Sequence, residues 1–257
     1  MADMSVWQLS ALGALVFFAG VVDALAGGGG MITLPAYLSM GLPPALLLGT
    51  NKLASSIGTV ASAARYHHHL RFSIRKFLPV LACTLFGSAL GAGLALCLDP
   101  GFIRYILLAS LPVVAYSVLS RHDFGRHDRS HELPAGELRR RSCLLGAGIG
   151  SYDGFFGPAT GTFFALALAR WCRHDLLQAT GRAKVMNLAS NLAALAVFLW
   201  SGRLDIRLGL TMAGASLAGH WLGAHLGLRK GTDVIKPVVA LVCALLFLKI
   251  LRDTLRP

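Results

Sequence analysis

Four ionisable residues stand in or beside long apolar runs: Asp23, Lys52, Asp153 and Lys184. Charge inside hydrocarbon is costly, so such residues mark function by default. Two carboxylates can take up and release protons, and two lysines can offset the charge of a bound anion. The spacing is regular, because Asp153 follows Asp23 by 130 positions and Lys184 follows Lys52 by 132. The plainer reading is that both lysines, lying near segment starts, snorkel to the membrane interface. Their matched placement favours a functional site, with Asp23 and Asp153 as proton-coupling groups or as partners of the lysines when the site is empty.

Beside each acid the chain is interrupted by glycine. Asp23-Ala-Leu-Ala runs into Gly27, Gly28, Gly29 and Gly30, and Asp153 is followed by Gly154-Phe-Phe-Gly157-Pro-Ala-Thr160-Gly161. A helix that restarts after such a break offers unpaired N–H groups and a positive dipole end, which suit a small anion. Pro158 suits a first helical turn. Thr33, Thr50, Asn51, Ser55, Thr160, Asn187 and Asn191 are candidate donors around it. The glycines of Gly87-x-x-x-Gly91 and Gly219-x-x-x-Gly223 sit in uninterrupted runs and read as close helix packing.

These residues need a membrane scaffold. Of 257 residues, 55% are hydrophobic and 14% charged, against roughly 25% charged in ordinary soluble domains, and mean hydropathy is +0.62. A soluble globular fold and disorder are both excluded. Spans of about 20 apolar residues are expected at Trp7–Ala24, Pro44–Ala64, Phe77–Leu98, Phe102–Leu119, Leu176–Trp200, Ile206–Leu228 and Val234–Leu251. An eighth region, Cys143–Trp171, is too long for one helix, and Met31–Met40 is too short. The expectation is an all-α integral membrane protein of about eight transmembrane helices, with broken or re-entrant helices near Gly27–Gly30 and Gly157–Gly161. No basic residue precedes the first run, so it is not read as a cleaved signal peptide.

The net charge of +12 lies mostly between the runs. It is read as cytoplasmic loop charge and not as a nucleic-acid footprint. Arg65–Lys76 and Arg121–Arg141 are the most basic stretches and fall on one side. The chain divides into a first repeat (1–120), a basic linker (121–141) and a second repeat (142–257). Gly87–Leu96 and Gly219–Leu228 agree at six of ten positions. Paired broken helices in repeated halves are a transporter pattern, with substrate held near the midplane between the halves. Whether the repeats are parallel or inverted stays open at this stage.

The remaining candidates are weaker. His67-His68-His69, His122, His127 and His131 lack the fixed separation of a closed metal site and read as a solvated basic loop. His220 and His225 fall within a span and read as packing or interfacial residues, with proton relay as the alternative. Five scattered cysteines read as small buried hydrophobes. No catalytic motif and no phosphate-binding loop is present.

The chain resembles the TauE/SafE group of sulfite-exporter-like and toluenesulfonate-uptake permeases. The resemblance rests on Gly20–Pro35, Leu48–Gly58, Gly154–Gly161 and Ala183–Asn191. It implies a multi-pass carrier of the bacterial inner membrane. Its substrates would be small sulfur-containing or organic anions such as sulfite, sulfoacetate or other sulfonates, and its drive the proton gradient. Expected partners are the anion, protons, the lipid bilayer and a second copy of the chain, with no nucleic acid, cofactor or resident metal. A divalent-metal transporter or a passive anion channel is the alternative.

Overall fold

The computed structural model describes residues 4–99 and 127–230, and the expected spans Phe102–Leu119 and Val234–Leu251, with His122 and Cys243, lie outside them. The described residues are helical and contain no strand. In chain order they form α1 (Val6–Ala26), α2 (Gly30–Ser39), α3 (Pro44–Leu70) and α4 (Ile74–Leu96), then a short 3-10 turn (Ser130–Glu132), α5 (Ala135–Phe155), α6 (Thr160–Trp171), α7 (Leu176–Trp200) and α8 (Ile206–Lys230). Three of them, α1, α4 and α7, are long and apolar enough to cross a membrane. The polar residues that α3 buries (Asn51, Lys52, Ser56, Thr59, Ser62) lower its hydropathy.

Several boundaries differ from the expected ones. α3 continues past Ala64 and takes His67–His69 into its last turn, so the basic loop there shrinks to residues 71–73. Partial negative charge at a helix C-terminus tolerates such residues. α5 begins at Ala135, inside the segment read as linker, because Pro134 supplies the N-cap (φ −54°, ψ 138°) and no proline follows within the helix. Pro158 precedes α6 instead of lying in its first turn: Ala159 adopts a left-handed conformation (φ 62°) and the helix starts at Thr160.

The glycine-containing contacts reveal how the halves are related. Gly219 packs on the backbone at Phe17 and Gly223 at Val21, so α1 and α8 run parallel. Gly87 packs at Ala147 and Gly91 at Ser151, so α4 and α5 are parallel too. The equivalent helices α3 and α7 run antiparallel: Gly49 lies against Phe198, Thr59 is hydrogen-bonded by Asn191, and Gly181 lies against Leu70. Equivalent helices pointing opposite ways define inverted repeats. The first helix of each half packs on the last described helix of the other, so the halves are interleaved.

α2 and α6 are half-length, at 10 and 12 residues, or about 15–18 Å. Leu12 and Val16 of α1 share one apolar cluster with Leu34 and Tyr37 of α2 and Leu47 at the start of α3. α2 therefore folds back along α1 as a helical hairpin. α5–α6 repeats this from the opposite side. Their tips meet: the Gly27 carbonyl accepts from the Thr162 N–H at 3.4 Å, and Thr162 Oγ1 donates to the Ala26 carbonyl. Gly27 has φ +82°, and a Cβ there would overlap the Gly161 backbone. Both demands restrict the position to glycine.

Candidate functional site

The hairpin tips deliver Asp23 and Asp153 to the centre of the molecule, and α3 and α7 carry the lysines to them. Lys52 is eight residues into α3, about 12 Å from its start, and Lys184 stands equally deep in α7. Both are buried, at 3% and 1% exposed. Neither snorkels; each amine turns inward to an acid.

The pairing crosses between halves. Lys52 Nζ lies 2.7 Å from Asp153 Oδ2 and donates to Asn191 Oδ1 at 2.9 Å. Lys184 Nζ donates to the Asp23 backbone carbonyl and lies 3.3 Å from its carboxylate. A lysine of one half thus clamps the helical hairpin of the other. Unsolvated charges of this kind persist only with partners, and removing one partner is far costlier than removing both.

The acids differ in their other contacts. Asp153 accepts from Ser190 Oγ on α7. Asp23 accepts from the Gly29 N–H at 3.1 Å and lies 3.1 Å from His220 Nε2 on α8. His220 Nδ1 is 2.9 Å from the Ser216 carbonyl. Nε2 therefore faces a carboxylate, and Nδ1 faces a carbonyl and, at 3.4 Å, the Ser216 hydroxyl, which can donate or accept. The ring fits because α3 presents Gly58 opposite it, where a Cβ would strike His220 and Ser216.

A cavity of about 30 Å³ joins these groups. That is roughly one water molecule. It is lined from α1 by Asp23, from the first tip and α2 by Gly29, Gly30 and Thr33, and from α3 by Asn51, Lys52 and Ser55. Asp153, Gly157, Thr160, Gly161, Asn187, Asn191 and His220 complete the wall. Thr33 donates to Asn51 Oδ1 at 2.5 Å, and Thr160 to the Gly157 carbonyl at 2.7 Å. Most of the candidate residues thus converge.

Three do not line this cavity. Thr50 donates to the Leu46 carbonyl and accepts from the Asp205 N–H, tying α3 to the start of α8. Gly28 is turned away from it, and Lys184 stands behind Asp23. Ser190 and Ser216 are residues of this cluster that the sequence does not single out, and His220, read as a packing residue with proton relay as the alternative, joins them at Asp23. His225 lies elsewhere, 2.6 Å from Arg65 Nη2. Among the described residues no group of three or more His, Cys, Asp or Glu side chains is arranged to hold a metal ion.

The comparisons with known proteins agree with this architecture. The family description Sulfite exporter TauE/SafE matches residues 12–250. The chain is 34% identical over 251 residues to a Haemophilus influenzae protein named probable membrane transporter protein, covering 98% of this chain and 97% of the relative. It is 33% identical over 257 residues to the Sinorhizobium protein named probable membrane transporter protein ORF9, covering 100% and 97%. It is 33% identical over 246 residues to the Escherichia coli K12 protein named probable membrane transporter protein YfcA, covering 95% and 90%. No solved structure matches significantly. A helical membrane protein of the transporter class is what the fold and these likenesses define. The chain belongs to the TauE/SafE family.

Proposed function

We propose that this protein is a secondary carrier, not an enzyme, that moves a small sulfur-containing or organic anion such as sulfite or a short sulfonate. It works across the bacterial inner membrane as a multi-pass protein, with one proton accompanying the anion. The observation that carries the reading is the buried cluster in which Lys52 faces Asp153, Lys184 faces Asp23, and His220 Nε2 lies 3.1 Å from Asp23 Oδ2.

The charge balance supports it. Lys52 and Lys184 balance Asp23 and Asp153. A proton on the Asp23–His220 pair leaves the cluster with one net positive charge. An anion brought to a neutral, buried cluster would be uncompensated, and that is costly. The same anion brought with a proton restores neutrality. The ionisable groups around the His220 ring are Asp23 from α1, with Lys184 of α7 behind it; α3 presents Gly58, and Lys52 and Asp153 lie across the same cavity.

The cavity is far below the roughly 300 Å³ of ordinary ligand sites, so the halves must part for the anion to enter. The lysines would then exchange their carboxylates for the anion, while Gly29, Gly157 and Gly161 offer it backbone donors. Rocking of the hairpins about their meeting tips opens one side and then the other. The test is uptake of radiolabelled sulfite, sulfate and a short sulfonate into proteoliposomes with and without a pH gradient. One proton per anion predicts up to about tenfold accumulation per pH unit for a monoanion. Flux that neither saturates nor follows the pH gradient would replace the carrier with a passive channel.

A further inference from the structure

A second cavity lies apart from the central site, where the start of α4, the start of α5 and the start of α7 come together. It measures about 490 Å³, within the usual range for ligand sites. Its walls are apolar, from Phe77, Val80 and Leu138. Its rim is cationic, from Arg75, Lys76, Arg139 and Arg182.

Three features distinguish this cleft from ordinary loop charge. On the same face Arg129 and Arg173 share Glu132 and Arg141 pairs with Glu137, whereas Arg75, Lys76 and Arg139 have no carboxylate partner among the described residues. Arg182 is held in place, stacked over the Phe72 ring at 4.9 Å and bonded to Gln178. Two long helices begin at the cleft, since both Ser73, the N-cap of α4, and Ala135, the first residue of α5, line it. Their partial positive charges add to the side-chain charge.

The repeat supplies a control. Gly41 and Arg173, both at positive φ, occupy equivalent turns and fix the register of the two halves. In that register His174 of the cleft corresponds to Leu42; Gly27 and Gly157, also both at positive φ, set the offset of α1 and α5 at 130, so Arg139 corresponds to Leu9. Leu42 is buried in an apolar cluster against which Leu9 packs. One half closes this corner with leucine; the other leaves it open and ringed by cations. The fold does not impose the cleft.

We propose that this cleft binds the phosphate of an acidic phospholipid. The four basic side chains and two helix starts would receive the phosphate, and Phe77, Val80 and Leu138 the adjoining glycerol and first acyl carbons. The rim belongs to the basic face that the loop charges assign to the cytoplasm, where anionic headgroups meet juxtamembrane Lys and Arg. An apolar wall beside a charged rim fits an amphiphile better than a free anion.

The test is lipid binding by the full-length protein in detergent. Thermal unfolding and native mass spectrometry would be followed with phosphatidylglycerol, phosphatidylcholine of equal chain length, or inorganic phosphate. Phosphatidylglycerol should bind and raise the unfolding temperature, and the other two should not. The triple variant R75S/K76S/R139S should weaken it by about fivefold per lost cation (about 1 kcal/mol each). R75K/R139K should retain binding and so separates lost charge from lost folding. Equal binding of phosphatidylcholine, equal stabilisation by inorganic phosphate, or full binding by the triple variant would each overturn the proposal.

Discussion

The two buried acids occupy equivalent positions in inverted halves, yet they are supported differently. Asp153 is held by one close lysine contact at 2.7 Å and one serine hydroxyl. Asp23 is held by a longer lysine contact at 3.3 Å, a backbone N–H and a histidine. The register of the halves explains how. His220 is the counterpart of Ser88, which donates to the Ser190 carbonyl. Ser190 is the counterpart of Gly58, whose missing side chain makes room for the imidazole. One half therefore uses a small residue on α8's counterpart and a hydroxyl on α7, and the other a ring on α8 and a glycine on α3. A duplicated frame holds a close ion pair on one side and an acid flanked by lysine and histidine on the other.

Breaking the lysines tests the comparison most severely. Lys52→Met leaves Asp153 with only the Ser190 hydroxyl in a buried site, and an orphaned buried charge costs about 3–5 kcal/mol. Lys184→Met leaves Asp23 its Gly29 N–H and the His220 ring. We expect Lys52→Met to abolish anion flux in proteoliposomes and to lower the unfolding temperature markedly. Lys184→Met should abolish flux with a smaller loss of stability. Equal stability losses would show that His220 does not compensate Asp23, and unchanged flux in both variants would remove the lysines from the site.

The next contrast concerns protons. His220→Gln keeps a donor near Asp23 and removes the ionisable ring. It should preserve anion exchange at equal pH on both sides while abolishing the response to a pH gradient. Ser190→Ala should leave that response intact and slow exchange by about tenfold or more, since a hydrogen bond to a charged carboxylate contributes about 1.5–3 kcal/mol. A His220→Gln protein that still accumulates anion along a pH gradient would move the coupling to Asp153 or elsewhere.

Much of this site was legible from residue types and spacing, because intramembrane charge is rare enough to be noticed and the duplication reported it twice. Asp23, Lys52, Asp153 and Lys184 were found in that way, and so were the glycine breaks. Their pairing was not. Each half contributes one acid and one lysine, and only the three-dimensional crossing of inverted halves joins Lys52 to Asp153. His220 reads from the sequence as a packing residue first, with proton relay only as the alternative, because the repeat argument looks for matches and its counterpart is serine. The informative signal was the mismatch itself, a histidine in a span facing the one position, Gly58, where the other half has Ser190. Thr50 was misplaced by its nearness to Asn51 and Lys52, since neighbours along a helix point about 100° apart.

The smallest effect is expected at the turns preceding α3 and α7, again equivalent and again different. Leu42 is packed in an apolar cluster, whereas His174, also buried, lies 3.6 Å from Asp128, too far for a hydrogen bond. Burial first, and then the nearby Arg182 guanidinium, push the His174 pKa down to about 4 from an ordinary 6.5. The ring is therefore neutral in the folded protein at pH 7. A histidine with a depressed folded pKa contributes stability that is complete above the unfolded pKa and is lost as pH falls toward the folded one. Between pH 6.5 and 4.5 the loss should reach about 1–2 kcal/mol, read as a falling unfolding temperature in detergent. His174→Leu, which copies the other half, should flatten that acid limb and leave anion flux at pH 7 unchanged. An identical acid limb in the variant would place the acid-sensitive group elsewhere and leave the two turns energetically alike.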